Sequence, residues 1–443
     1  MDAELTAALP QAETGFRVTE AYRYYVAWLL CGVYLLNQAD RQIFAVLQQP
    51  IKETFAFSDA QLGLIGGTAF ALFYATLAIP IARLADRTHR VNIIAVSLAL
   101  WSLFTAITGM AANFWQMLGA RLVVGVGEAG CSPPSYSVIS DYFESKRRAT
   151  AIGIYSLGLS GGSILGLLVG SKIAEAHGWR SAFYVMGLPG ILLALIVRLT
   201  LREPPRGLSD NAPVAGQAPV VRRVLAGLWD KRSFRRLSVA ASLYAIAANG
   251  IGSFYAVFLM RSHTMRLAEA GGWLALASIG GLAGAFLGGK IADLLANRKG
   301  DARWLMWIPA VALTANLPVG FFLYTADGKT WVIVLLMINI TLSGAYLAPT
   351  VATTQRLVGP RERALASAIL FFLMSLVGLG LGPILTGYLS DAFKRHFISL
   401  GRSAAVASGD GLRMAFICML VTPLLAVVFY ISAARKVREE LLS

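Results

Sequence analysis

Twelve stretches of this chain are each long and apolar enough to cross a bilayer, and no other feature of the sequence narrows the fold as far. In windows of about 20 residues they lie near 22–47, 60–83, 91–111, 115–141, 148–173, 181–201, 237–260, 269–294, 303–324, 331–355, 364–389 and 412–434. Backbone N–H and C=O groups in hydrocarbon find no water, so each stretch must satisfy its own hydrogen bonds, which an α-helix of this length does. The expected fold is therefore all-α and polytopic. Only 14% of the 443 residues are charged and 56% are hydrophobic, against about a quarter charged in soluble domains.

The net charge of +15, from 39 basic and 24 acidic residues, follows topology. With an even number of spans both termini share one side, and that side carries most of the Lys and Arg, so the termini are expected in the cytoplasm. A nucleic-acid partner is excluded on this distribution; the basic surface faces membrane lipid. Cys31, Cys131 and Cys418 all fall inside apolar stretches without metal-ligand spacing, which reads as packing thiols. The first residues, with Asp2, Glu4 and Glu13, lack a basic region leading into an apolar run, so span 1 itself is expected to direct insertion.

The longest polar interruption, 202–236, divides the chain into an amino-terminal bundle (1–201) and a carboxy-terminal bundle (237–443), with six spans on each side. The interruption opens on Pro204 and Pro205 and runs through a Pro/Ala/Gly-rich stretch to Pro219. Beyond it Val221, Val224, Leu225 and Leu228 recur at helical spacing among Arg222, Arg223, Lys231 and Arg232, as in a helix lying on a membrane surface. The halves look duplicated. Arg83-Leu-Ala-Asp86-Arg87 follows span 2, and Gly289-Lys290-Ile-Ala-Asp293 follows span 8. Pro133-Pro134 in span 4 has a counterpart in Pro349 of span 10, at nearly the same offset. A repeated six-span unit places a substrate path between the halves.

Three ionisable groups sit where water is scarce: Asp40 in span 1, and Arg121 and Glu128 in span 4. Placing each in hydrocarbon costs about 2.5–3.5 kcal/mol on lenient insertion scales. Arg121 and Glu128 are seven residues apart, hence on one helix face and about 10.5 Å apart along the axis. A carboxylate takes up a proton more readily when desolvated and less readily beside a cation. Making and breaking an Asp40–Arg121 pair would therefore drive proton uptake and release. Glu128 could hold a second proton or receive Arg121 when Asp40 lets it go. Arg121 stays charged, so it would choose between carboxylates or hold an anionic substrate group. Arg41 points away from its neighbour Asp40, either toward the opposite bundle or outward. Asn37, one turn earlier, could share the Asp40 pocket.

The loops at Asp86 and Asp293 resemble motif A of the major facilitator superfamily, Gly-x-x-x-Asp-Arg/Lys, with Ala82 replacing the leading glycine in the first copy. Arg121, Gly125 and Gly127 are similar to that superfamily's motif B. Asn37-Gln-Ala-Asp40-Arg41 together with Arg121…Gly125-Val-Gly127-Glu128-Ala129 resembles the Spinster branch, whose eukaryotic members are associated with export of sphingosine-1-phosphate and lysophospholipids. The resemblance implies two six-helix bundles in the major facilitator fold, in a bacterial inner-membrane protein working as a monomer. It also implies that Arg83, Asp86, Arg87, Asp141 and Arg148, with Lys290 and Asp293 as second copy, form a cytoplasmic gate. The same residues could instead be solvated loop charges. In spans that line the path in this superfamily, Tyr34, Tyr155, Asn249, Asn339 and Tyr346 join Arg41 and Asn37 as candidate substrate contacts, with Phe371 and Phe372 as apolar wall.

These features point to a proton-coupled secondary transporter of an amphipathic lipid or organic anion, with the proton as coupling ion and no bound cofactor or metal. A lipid receptor or scramblase is the alternative. A membrane enzyme is less favoured: the histidines, His89, His177, His263 and His396, lie near span ends, and no nucleophile elbow, metal-spaced cluster or phosphate loop occurs. The dense glycines of span 5, Gly153 to Gly170, allow either close packing or a hinge.

Overall fold

In a computed structural model, the described residues are 16, 18–208, 221–359 and 362–441, and among them the regular structure is helical. The first half comprises α1 (Glu20–Phe55), α2 (Asp59–Gly63), which continues through a π-helical turn into α3 (Ala69–Arg87), α4 (Arg90–Met110), α5 (Phe114–Ala129), α6 (Ser132–Tyr142), α7 (Ser145–His177) and α8 (Trp179–Thr200). A short α9 (Val221–Asp230) follows the interruption. The second half comprises α10 (Arg232–His263), α11 (Leu267–Lys299), α12 (Trp304–Thr325), α13 (Lys329–Gly344), α14 (Leu347–Arg356), α15 (Arg363–Met374), α16 (Gly380–Ser399), α17 (Ala404–Met419) and α18 (Val421–Leu441). The Pro/Ala/Gly-rich stretch up to Pro219 lies outside the described residues.

Ten helical segments among the described residues are long and apolar enough to span a membrane. The two expected spans that fall short are α1 and the α5–α6 pair, the ones that carry the buried charges. Asn37, Gln38, Asp40, Arg41 and Gln42 dilute α1, and α5 stops at Gly130, where the chain turns before Pro133 and Pro134 restart it as α6. A hydropathy deficit thus marks the helices that carry the buried charges.

Lipid is as apolar as leucine, so the helices here are held together by close packing and polar contacts between them. Along α7, Gly158, Gly162 and Gly166 press on α1, where a Cβ would run into the carbonyls of Cys31, Leu35 and Ala39. The same device recurs in the second half: Gly378 and Gly382, at the junction of α15 and α16, press on Ala245 and Ile246 of α10. Gly158, Gly162 and Gly166 of span 5 are thus packing surfaces, and the recurrence of the device supports the duplication. Gly162→Ala should lower the melting temperature by an amount corresponding to about 1–3 kcal/mol of overpacking. Gly153→Ala, where the added methyl meets open space, should leave it unchanged when both are melted side by side.

The helix after the interruption divides its apolar stripe. Val224 and Leu228 are buried against Phe234, Leu357 and Ala366 of the second bundle, while Val221, Leu225 and Trp229 are exposed beside Arg222 and Arg223.

Candidate functional site

The face of α1 that carries Asp40 and Arg41 meets α4 and α5 inside the first bundle. Gly125 and Gly127 let α5 approach closely: a Cβ at Gly127 would strike the Trp101 backbone of α4, and one at Gly125 would crowd the Phe70 carbonyl of α3. This approach brings Arg121, about one turn before Gly125, and Glu128, directly after Gly127, within reach of α1. Arg121 Nη1 donates to Asp40 Oδ2 (2.8 Å), and Thr105 Oγ1 of α4 donates to Asp40 Oδ1 (2.7 Å). Arg41 Nε donates to Glu128 Oε2 (2.6 Å). Asp40, Arg121 and Glu128 are buried, whereas the Arg41 side chain keeps 26% exposure.

Two ion pairs therefore cross from α1 to α5: the expected one between Asp40 and Arg121, and a second between Arg41 and Glu128. Arg121 and Glu128 share a helix face but are not partners here; Glu128 belongs to Arg41, which turns back onto α5 of its own bundle while still lining the cavity between the bundles. The guanidiniums are further held over aromatic rings, Arg41 at 4.8 Å from both the Phe70 and Tyr74 centroids and Arg121 at 5.1 Å from Phe44. Asn37 is buried beside them, and its Nδ2 has no hydrogen-bond partner among the described residues.

Both arginines face a cavity of 290 Å³ between the bundles, whose opposite wall includes Asn249 of α10. Neither Asp40 nor Glu128 lines it; the acids stand behind the cations. A second lobe of 250 Å³ shares Gln42, Ala45, Ala248 and Gly252 with the first and enters the second bundle. Its wall is largely aliphatic, with one uncharged polar chain. Tyr255 donates to Asn339 Oδ1 (2.7 Å), Asn339 Nδ2 to Asn316 Oδ1 (3.0 Å), and Asn316 Nδ2 to Ser343 Oγ (3.0 Å), with the Tyr324 hydroxyl 3.3 Å from that of Tyr255.

Of the expected substrate contacts, Arg41, Asn249 and Asn339 line these lobes, whereas Asn37 lines neither. Tyr34 and Tyr155 do not: they stack on each other at 4.7 Å inside the first bundle, because an interior aromatic pair buries more area by stacking than by facing water. Tyr346 packs edge-on against Tyr244 at 4.5 Å and lines neither lobe. Phe371 and Phe372 are exposed on α15 and form no cavity wall. Asn316, Tyr255, Tyr324 and Gln48 were missed.

Of the expected gate residues, Asp141, Arg148, Asp293 and Lys290 meet partners within their own half of the chain. Asp141 pairs with Arg90, and its other oxygen accepts from the Gly207 amide (3.0 Å). Arg90 also bonds Glu203 (2.7 Å), Ser137 and the Pro204 carbonyl. Arg148 reaches the Phe143 carbonyl at 3.4 Å, and Arg83 and Arg87 are exposed. Asp86 lies in α3 with its side chain outside the described residues. Asp293 pairs with Arg356 at 3.6 Å, and Lys290 sits 5.9 Å from the Phe286 ring.

The polar contacts that tie the bundles together cluster at the opposite end, away from α9. Asp59, fully buried, receives two bonds from Arg261 of α10 (2.8 and 2.9 Å), one from Lys52 (2.5 Å) and one from Ser390 of α16 (2.7 Å). Asp391 returns the favour by accepting the amides of Asp59 and Ala60, and Gln49 accepts from Arg261 Nε (2.6 Å). The far end is latched.

Residues 30–383 match the family model described as Major Facilitator Superfamily. The chain belongs to the major facilitator superfamily. It is 33% identical to an MFS-type efflux pump of Mycolicibacterium smegmatis over 374 residues, covering 83% of this chain and 85% of that protein. It is 27% identical to protein spinster homolog 3 of Danio rerio, covering 86% and 79%. A bacterial homolog of the human lysosomal transporter Spinster, solved in an inward-facing and unoccupied conformation, superposes with a TM-score of 0.89 at 34% identity, covering 96% of this chain and 99% of that one. The same homolog in its inward-facing, occupied conformation gives 0.87. The Spinster resemblance read from Asp40-Arg41 and Arg121…Glu128 agrees with these matches. The protein is thus a multi-pass membrane transporter of a small molecule, not an enzyme.

Proposed function

We propose that this major facilitator protein is a proton-coupled carrier of an organic anion or lipid-like amphiphile, moving its cargo by rocking one bundle against the other. One observation carries the reading: both guanidiniums face the cavity while the carboxylates that neutralise them lie behind. An anion entering the cavity competes with Asp40 for Arg121 and with Glu128 for Arg41. A proton on either carboxylate frees its arginine. Cargo and proton thereby act on the same two pairs, which is the thermodynamic content of coupling. The charged lobe suits a headgroup, and the aliphatic lobe with its Asn316–Asn339–Tyr255 chain suits the remainder of an amphiphile.

The latched far end favours a conformation open on the side of α9 and the termini. The basic excess on that side supports placing it in the cytoplasm of a bacterial inner membrane. The Arg83, Asp86 and Arg87 loop and its Lys290 and Asp293 copy would then engage the other bundle only in the opposite state. One chain encloses the whole cavity, so a monomer suffices, and the exposed stripe of α9 rests on membrane lipid.

In proteoliposomes, a pH gradient should drive accumulation of cargo by the unaltered protein. Asp40→Asn and Glu128→Gln should reduce it to the rate seen without a gradient while counterflow persists. Undiminished gradient-driven flux in both variants would reject proton coupling at this site. Absence of counterflow in the unaltered protein would favour a receptor or scramblase.

A further inference from the structure

Gln48 is fully buried, yet neither its Oε1 nor its Nε2 has a hydrogen-bond partner among the described residues. A buried amide without partners is costly, and native structures retain such groups where something else satisfies them. The side chain lines the charged lobe of the cavity. It does so at the latched end: the next residue, Gln49, is bound to Arg261, and Lys52, one turn further, to Asp59. Gly66 stands opposite, where a side chain would press on Phe44 and approach the Gln48 amide. Arg121 lines the same lobe with its guanidinium over Phe44, one turn from Gln48 on α1, and its Nε is likewise without a partner.

We propose that Gln48 and the Nε–H of Arg121 form a subsite at the closed end of the cavity that selects a hydroxyl-bearing oxyanion. The inference rests on the reading of this cavity as the transport site. The chemistry follows from the donor and acceptor inventory. Arg121 Nε–H and the Gln48 NH₂ donate, and the Gln48 carbonyl oxygen accepts. A singly protonated phosphate or phosphonate accepts with its bare oxygens and donates with its P–OH, so all three protein groups are satisfied. A sulfonate of the same charge only accepts, and it leaves the Gln48 carbonyl oxygen facing another acceptor. A quaternary ammonium satisfies none of them. A site built to bond a substrate OH rejects the analogue that lacks it.

The test uses the full chain in lipid nanodiscs with an alkylphosphonate and an alkylsulfonate of equal chain length, at a pH where the phosphonate is a monoanion. The unaltered protein should bind the phosphonate about tenfold more tightly, the difference made by one buried hydrogen bond. Gln48→Met, close in shape but without donor or acceptor, should bring the ratio to about one. Its ligand-free melting temperature should not fall, because methionine removes an unpartnered amide. The proposal is overturned if the unaltered protein shows no preference, or if Gln48→Met keeps the preference; a lowered melting temperature with preference retained would mark Gln48 as structural. Absence of preference in the unaltered protein, with its pH-driven flux intact, would overturn this subsite alone, whereas failure of both probes to bind the unaltered protein would overturn the cavity reading with it.

Discussion

Asp59→Asn should unlatch the far end and shift the protein toward the conformation closed on the α9 side. In the present structure the Asp59 carboxylate compensates Arg261 and Lys52 at once, and three of its neighbours, Arg261, Ser390 and Asp391, belong to the second bundle. Neutralising it leaves the enclosed Arg261 and the half-buried Lys52 without their counter-ion, a cost of about 3–5 kcal/mol borne only while the end is shut. Opening lets water solvate both. The population ratio should then change by on the order of a hundredfold or more, each 1.4 kcal/mol being about tenfold. Spin labels placed across the far end in nanodiscs would report the change as a move to longer distances. Gly387→Ala attacks the same seam by volume instead of charge, since a Cβ there would collide with the Asp59 carbonyl, and it should move the distribution the same way. A distance distribution unchanged in both variants would show that the latch does not hold the state.

That latch was illegible in the sequence for a physical reason. Ser58-Asp59-x-Gln61 reads as an ordinary capping box, which it is, and Arg261 reads as a cation near the end of a span, where snorkelling needs no partner. Only the meeting of two bundles makes them a pair. Gln48 is hidden differently: the apolar window closes at residue 47, ahead of the polar Gln48, Gln49 and Lys52, yet α1 runs to Phe55 with Pro50 inside it. Asp40, Arg121 and Glu128 were legible because charge inside an apolar run is costly wherever the run packs. Their pairing was not, since helix periodicity fixes which residues share a face of one helix and says nothing of the rotation of its neighbour. Arg41, adjacent to Asp40, reaches Glu128 because the two arginines and two acids interleave across α1 and α5. Asn316 sits as plainly in its span as Asn339 does, and only the hydrogen bond between them sets both apart from amides that cap a neighbouring carbonyl.

Removing both members of the Asp40–Arg121 pair should cost less than the sum of the two single removals, and the two single variants should differ in their response to pH. Either single change leaves a buried charge unpaired, a loss of about 3–5 kcal/mol. The double variant Asp40→Asn with Arg121→Met should lose less than the sum, by a coupling of about 0.5–3 kcal/mol. The asymmetry comes from the groups left behind. After Arg121→Met, the orphaned Asp40 can neutralise itself by taking a proton. The folded variant then holds a proton that the unfolded chain releases, so its stability should fall as pH rises. After Asp40→Asn, the orphaned guanidinium cannot shed its charge, and the loss should be flat across the same range. Melting temperatures taken at one scan rate, because membrane proteins seldom refold, would separate the two. Matching pH responses would mean that Asp40 does not exchange its proton within the folded protein, and coupling through this pair would fall with it. The same chemistry is what a carrier needs, with two fixed cations facing the cargo and two acids behind them that alone change charge.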